Sequence, residues 1–142
     1  MKSFRIALYP GDGIGVEVTE ATVRVIKALE SKLCEFQLEM VTFDWGVDYY
    51  DRYGIVVPDD FIQTLDSFDA IFLGAVGFPE KLPDHITLSP LIKLRQAFDL
   101  YACVRPARTF QGVPKPLTGG ADIDLVVVRE NSEGEYVNNG GR

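Results

Sequence analysis

Three arginines and a tyrosine in the second half of the chain have the clearest capacity for chemistry. Arg95 lies in a helical stretch opened by Ser89, Arg105 ends a short extended run, and Arg129 closes the run IDLVVVR. Ligands of α/β proteins collect beyond the carboxyl ends of strands, and two of these arginines are expected at strand ends. Guanidinium groups converging there suit a small substrate with two carboxylates, because each can grip a carboxylate through two parallel N–H bonds. The alternative is three unrelated surface arginines in salt bridges, and spacing alone does not separate the two. Tyr136 follows Arg129 by seven residues in a polar loop. Its hydroxyl can protonate a carbanion or enol in a closed site, although loop tyrosines more often pack or face solvent.

Gly11-Asp12-Gly13-Ile14-Gly15 joins a short apolar run to a helical pattern. A glycine loop there can bring backbone N–H groups to an anion. The dinucleotide fingerprint, however, needs glycine or alanine where Val16 stands, and no Gly-Lys-Ser/Thr follows. A tight turn with positive φ is favoured over a phosphate cradle. Asp59 and Asp60 suit a helix N-terminus, and Asp122 and Asp124 flank a turn. Neither pair has dependable metal-ligand spacing. His85, the single histidine, sits in a proline-bounded loop and is read as solvated. Cys34 and Cys103 form no C-x-x-C pair and are read as reduced, packed thiols.

The elements that must position these residues alternate. Phe4 to Tyr9 reads as a strand. A helix follows from about Gly15 to Leu33, with Val18, Ala21, Val25, Leu29 and Leu33 on one face. Phe36 to Phe43 reads as a second strand, with Phe36, Leu38 and Met40 on one side. DWGVDYYDRYG reads as irregular. Pro58, Asp59 and Asp60 start a helix with Phe61, Ile62 and Leu65 as its apolar face. Asp69 to Gly74 reads as a strand covered on both faces, and Gly77 to Leu88 as a long loop. Ser89 and Pro90 open a helix ending near Phe98. Tyr101 to Arg105 is extended, Pro106 ends it, and Ile123 to Arg129 is a last strand. The pattern is α/β, with a boundary near residue 100. The glycine- and asparagine-rich tail after a strong strand, with no closing helix, is expected of a fragment.

The chain has 142 residues, 14 basic against 21 acidic, for a formal charge of −7, and 46% are hydrophobic. This is a folding composition, not a disordered one. The acidic balance leaves no footprint for nucleic acid or an anionic membrane. No stretch approaches the ~20 apolar residues of a membrane-spanning helix. The N-terminus lacks a secretory pattern, and a cytoplasmic location is expected.

RIALYPGDGIGVEVTEATVRVIKAL resembles the opening of the β-decarboxylating dehydrogenases, which act on isopropylmalate, isocitrate, homoisocitrate, tartrate and D-malate. The resemblance continues through FDAIFLGAVGFP, LRQAFDLYACVRPAR and VVRENSEGEY, essentially the whole chain in order. DWGVDYYDRYG, VPDDF and LPDHITL are most similar to the tartrate and D-malate branch. The resemblance implies the N-terminal part of an isopropylmalate dehydrogenase-like three-layer αβα fold. Residues 1–100 would belong to the cofactor-side domain and 101–142 would begin the substrate and dimerisation domain.

The resemblance also implies an activity: NAD-dependent, Mg²⁺- or Mn²⁺-assisted oxidative decarboxylation of a malate-type diacid by a full-length homodimer. The family's substrate arginines fall on Arg95, Arg105 and Arg129, and its proton-donating tyrosine on Tyr136. Ser89 and Leu91 fall where members touch the substrate's variable group. Ile14, Gly77 and Leu88 fall along the cofactor cleft, Gly77 to Leu88 bordering the nicotinamide. The catalytic lysine and the metal-holding aspartates would lie beyond Arg142, leaving the 142 residues alone without turnover. One departure bears on substrate choice. Ser89-Pro90 follows Leu88 directly, making this loop one residue shorter than the branch pattern, and a serine six residues before Arg95 is similar to isocitrate-specific members. Isopropylmalate or isocitrate is thus the alternative substrate, and a non-catalytic anion-binding remnant the alternative class.

Overall fold

A computed structural model describes every residue except 1, 116, 135, 136 and 138–142. The chain forms two compact units, Met1–Leu91 and Ile92–Arg142.

The first unit is built on a parallel three-stranded sheet. Strands β1 (Lys2–Gly11), β2 (Phe36–Thr42) and β3 (Ala70–Ala75) lie in the order β2-β1-β3. Helix α1 (Ile14–Leu33) connects β1 to β2, and α2 (Val47–Tyr53) and α3 (Phe61–Asp66) connect β2 to β3. A parallel pair cannot be closed by a tight turn, so each connection must carry a helix back along the sheet. Central β1 supplies the core residues Ala7, Leu8 and Tyr9. In β2, Phe36, Leu38 and Met40 are half-buried while Gln37 and Glu39 are exposed, the alternation expected from the sequence. β3 is only half-buried. Its side chains are thus less buried than expected of a strand covered on both faces, and among the described residues it pairs with β1 alone.

Two further expectations change. DWGVDYYDRYG is not irregular, since Val47–Tyr53 is helical between Gly46 and Gly54. Arg52 lies over the Tyr49 and Tyr53 rings and pairs with Asp44, giving this polar, aromatic helix local support. On α1 the buried residues are Gly15 and Thr19. The stripe of Val18, Ala21, Val25, Leu29 and Leu33 is exposed. The reason is close approach. A Cβ on Gly74 would overlap Pro10 O and lie 2.7 Å from Thr19 Oγ1 and 2.9 Å from Gly15 O. The helix meets the sheet through its smallest residues.

The core continues as an aromatic cluster around Trp45. Its ring stacks on Phe43 with centroids 4.4 Å apart and meets Tyr9 and Phe61 edge-on at 5.6 and 6.1 Å. Such pairs contribute about 0.5–1.5 kcal/mol each beyond area burial. They join the ends of β1 and β2 to α3, where Phe61 and Leu65 are buried as the apolar pattern predicts. After β3 the segment to Leu88 contains a short helix, α4 (Asp84–Thr87), not a continuous loop. His85 lies in it and is exposed.

Helix α5 (Ser89–Ala97) follows, and the division between the units falls inside it. The second unit carries strands β4 (Ala102–Arg108) and β5 (Asp124–Glu130), an antiparallel ribbon. β4 does not stop at Pro106. Pro106 stands opposite Val126 within the ladder, tolerated because β4 has no second partner among the described residues to need its missing N–H. Cys34 and Cys103 are both free. Cys34 is exposed at the C-cap of α1 with φ 53°, so it is a helix terminator and not a packed thiol.

Candidate functional site

In the second unit the antiparallel register organises the arginines. Cys103 stands opposite Arg129 and Arg105 opposite Val127. Residues directly opposite share a face, and so do residues two apart on one strand. Cys103, Arg105 and Arg129 therefore lie on one face of the ribbon. Arg105 Nε donates to Cys103 Sγ at 3.2 Å. Arg105 is exposed and sits mid-strand, not at a strand end, whereas Arg129 is half-buried one residue before the end of β5.

Arg95 is half-buried in the last turn of α5. Its carbonyl accepts the Leu100 N–H at 2.8 Å, and the Leu100 carbonyl accepts Asn131 Nδ2 at 3.4 Å. Main chain and the Asn131 side chain thus link Arg95 to the turn that follows Arg129. That turn is organised by Glu130, whose Oε1 accepts the N–H groups of Ser132 and Glu133, both at 2.6 Å. These donors, Glu133 first, hold its carboxyl below the usual glutamate range. Tyr136 lies outside the described residues.

In the first unit Ser89 and Leu91 are half-buried in the first turn of α5, directly after Leu88 at the C-cap of α4. Ile14 opens α1 and is 67% exposed. Gly77 has φ 116°. The first turn of α1 and Gly77 are tied together by a residue that sequence reasoning did not single out, Asp12. Its side chain is buried. Oδ1 accepts the Val47 N–H at 2.6 Å, and Oδ2 accepts the Gly77 N–H at 2.8 Å. The Asp12 carbonyl accepts the Gly15 N–H in the first turn of α1. The carboxylate also stands near Tyr9, whose phenol is pushed up by burial first and by this charge second.

The glycine loop adopts a tight turn with positive φ, as its sequence favours. Its one carboxylate points inward, Gly11 turns the chain at φ 76°, and Gly15 is packed against Pro10 and Ala75. Beside it, Gly13, Val47, Phe78 and Lys81 help line a cleft of about 300 Å³. Lys81 Nζ bonds Asp51 at 3.1 Å, and this contact, helped by the neighbouring carboxylates, holds it protonated above its ordinary range. Among the described residues no group of three or more His, Cys, Asp or Glu side chains could hold a metal ion. No described helix is long and apolar enough to cross a membrane.

A βαβ start with a fused glycine loop, followed by an arginine-bearing ribbon, defines a class that comparison identifies. The isocitrate/isopropylmalate dehydrogenase family model matches residues 5–141, and the chain belongs to that family. It is 49% identical over 146 residues to the D-malate dehydrogenase (decarboxylating) of Escherichia coli K12, covering 100% of this chain and 40% of that protein. It is 50% identical over 143 residues to the tartrate dehydrogenase/decarboxylase of Pseudomonas putida, covering 98% and 39%. A solved β-decarboxylating dehydrogenase from Thermococcus kodakarensis superposes with TM-score 0.55 and 27% identity, covering 89% of this chain and 41% of that one. The chain thus spans about 40% of the length of these relatives.

Proposed function

We propose that the chain forms the N-terminal part of an NAD-dependent, Mg²⁺- or Mn²⁺-assisted oxidative decarboxylase of D-malate or tartrate. The observation that carries this reading is the identity of 49% and 50%, across essentially the whole chain, to relatives named for those two substrates. The divalent cation finds no ligand set among the described residues. The dinucleotide has a compatible surface in the exposed Ile14 and the segment from Gly77 to Leu88. Both oxygens of the Asp12 carboxylate are taken up by main-chain N–H groups beside this surface. When bound, the cofactor would supply the acceptor for the hydride on the hydroxyl-bearing carbon.

The chain's own residues would do the rest. Arg105 and Arg129, on one ribbon face, would grip the substrate's carboxylates, with Arg95 as a third cation. This grip selects which carboxylate aligns for loss as CO₂. The electron pair of that bond passes to the keto oxygen, and Tyr136 would protonate the resulting enolate. Ser89 and Leu91 would face the group that distinguishes one substrate from another. In this reading the whole enzyme is a cytoplasmic homodimer, and 142 residues alone do not turn over.

The test is a substrate panel on the complete polypeptide carrying these residues. D-malate, tartrate, isopropylmalate and isocitrate would each be offered with NAD⁺ and Mn²⁺, and NADH formation followed. Turnover of D-malate or tartrate is expected. Preference for isocitrate, which Ser89 and the short loop after Leu88 would favour, transfers the assignment to the alternative substrate. No turnover of any member refutes the enzyme reading.

A further inference from the structure

We infer that Asp12 is a positioning residue that sets the Gly77–Leu88 segment in its cofactor-binding position, an inference that rests on the proposed NAD-linked activity. A buried carboxylate is costly unless its oxygens are satisfied. Here each oxygen takes a backbone N–H from a different segment, Val47 at the start of α2 and Gly77 after β3. These partners lie 35 and 65 residues away in sequence. Asp12's own N–H donates to Ala75 O at 2.7 Å, and its carbonyl accepts the Gly15 N–H at 2.8 Å. One residue thus joins the starts of α1 and α2, the end of β3 and the segment beyond it.

The surroundings are shaped around this group. A Cβ on Gly46 would strike Asp12 Oδ1, so the residue preceding α2 has no room for a side chain. Gly77 itself holds φ 116°, which side-chain-bearing residues rarely adopt. Its N–H is therefore delivered to Oδ2 by a conformation suited to glycine. No other side-chain type of this size does the same work. Asparagine has one acceptor oxygen, and its NH₂ would face the second N–H donor instead of accepting from it. A segment ordered by this clamp before ligand arrives does not have to be ordered at the expense of binding.

The experiment uses the complete polypeptide and two variants. Asp12→Asn breaks one arm of the clamp. Asp69→Asn perturbs an exposed carboxylate elsewhere on the sheet that also accepts a main-chain N–H, Asp69 Oδ2 taking the Arg5 N–H at 2.7 Å. Two readouts are taken, amide hydrogen exchange at Gly77 and the steady-state constants for NAD⁺. Asp12→Asn should speed Gly77 exchange and raise KM for NAD⁺ about tenfold, as expected for loss of one charged hydrogen bond. Its kcat should change less than its KM. Asp69→Asn should leave both readouts in place. In the unmodified polypeptide, saturating NAD⁺ should slow Gly77 exchange further without slowing Arg5 exchange, a result that needs no variant to fold. NAD⁺ turnover with unmoved Gly77 exchange and unmoved KM in Asp12→Asn overturns the inference, as do equal effects from Asp69→Asn. Absence of any NAD⁺ reduction by the unmodified polypeptide refutes the functional reading itself and removes the inference with it.

Discussion

The contact between α1 and the sheet makes a strong prediction at Gly74. A Cβ there would overlap Pro10 O and stand within 3 Å of both Thr19 Oγ1 and Gly15 O. Two of those three atoms are backbone, so neither can rotate away. Gly74→Ala must therefore lift α1 from β1 and β3 or shift a strand. Overpacking of this kind costs about 1–3 kcal/mol, and the rigid neighbours put this site at the upper end. For a unit of this size a loss of about 3 kcal/mol lowers Tm by roughly 10 °C or more. Thermal unfolding followed by circular dichroism measures it. Thr19→Ala removes the one side-chain atom of the three and should recover only part of the loss. Its own background effect should be small, since Thr19 Oγ1 is buried with no hydrogen-bond partner among the described residues. A fall of only about a degree in Gly74→Ala, or complete recovery by Thr19→Ala, would refute the argument from close backbone approach.

Phe61→Ala should cost about 3–5 kcal/mol, because Phe61 is 4% exposed and its ring meets Trp45 edge-on; urea unfolding with near-ultraviolet dichroism would report both the loss and the freed tryptophan. Arg105→Lys in the complete polypeptide should lower kcat/KM for the diacid by roughly tenfold to a hundredfold, since lysine keeps the charge but loses the two parallel donors; unchanged kinetics would remove Arg105 from the substrate site. Glu130 should titrate below the ordinary glutamate range in a carbon-detected NMR experiment, because the Glu133 and Ser132 N–H groups favour its ionised form. A depressed native pKa stabilises the turn at pH above the unfolded value, and that contribution disappears as pH falls through the native midpoint. A midpoint in the ordinary range would contradict the observed donor geometry.

The alternation of strands and helices was legible because apolar runs, glycine stops and helix-start residues recur at the right spacing. The facing of α1 was not. Periodicity reveals that Val18, Val25 and Leu29 share a side, but not whether anything lies opposite it. Burial instead followed smallness, at Gly15 and Thr19, because the strand backbone comes so near. Helix α2 escaped notice because tyrosines and aspartates between two glycines carry strand and turn propensities, while its support from Asp44 comes from a side chain outside the helix. Among the site residues, Arg105 and Arg129 were legible as a pair of cations, and only the ladder register revealed their common face. Asp12 was invisible for a different reason. Its partners are main-chain N–H groups of distant segments, and a backbone donor leaves no mark in the order of side chains.

The chain contains one tryptophan, and it lies at the centre of the aromatic cluster in the first unit. Its emission is thus a ready-made gauge of that unit. Fluorescence and far-ultraviolet melting curves that coincide would mean the two units lose structure together. Curves that separate would rank them, with the half-buried thiol of Cys103 as an attachment point for a dye to follow the ribbon once the exposed Cys34 is replaced by serine.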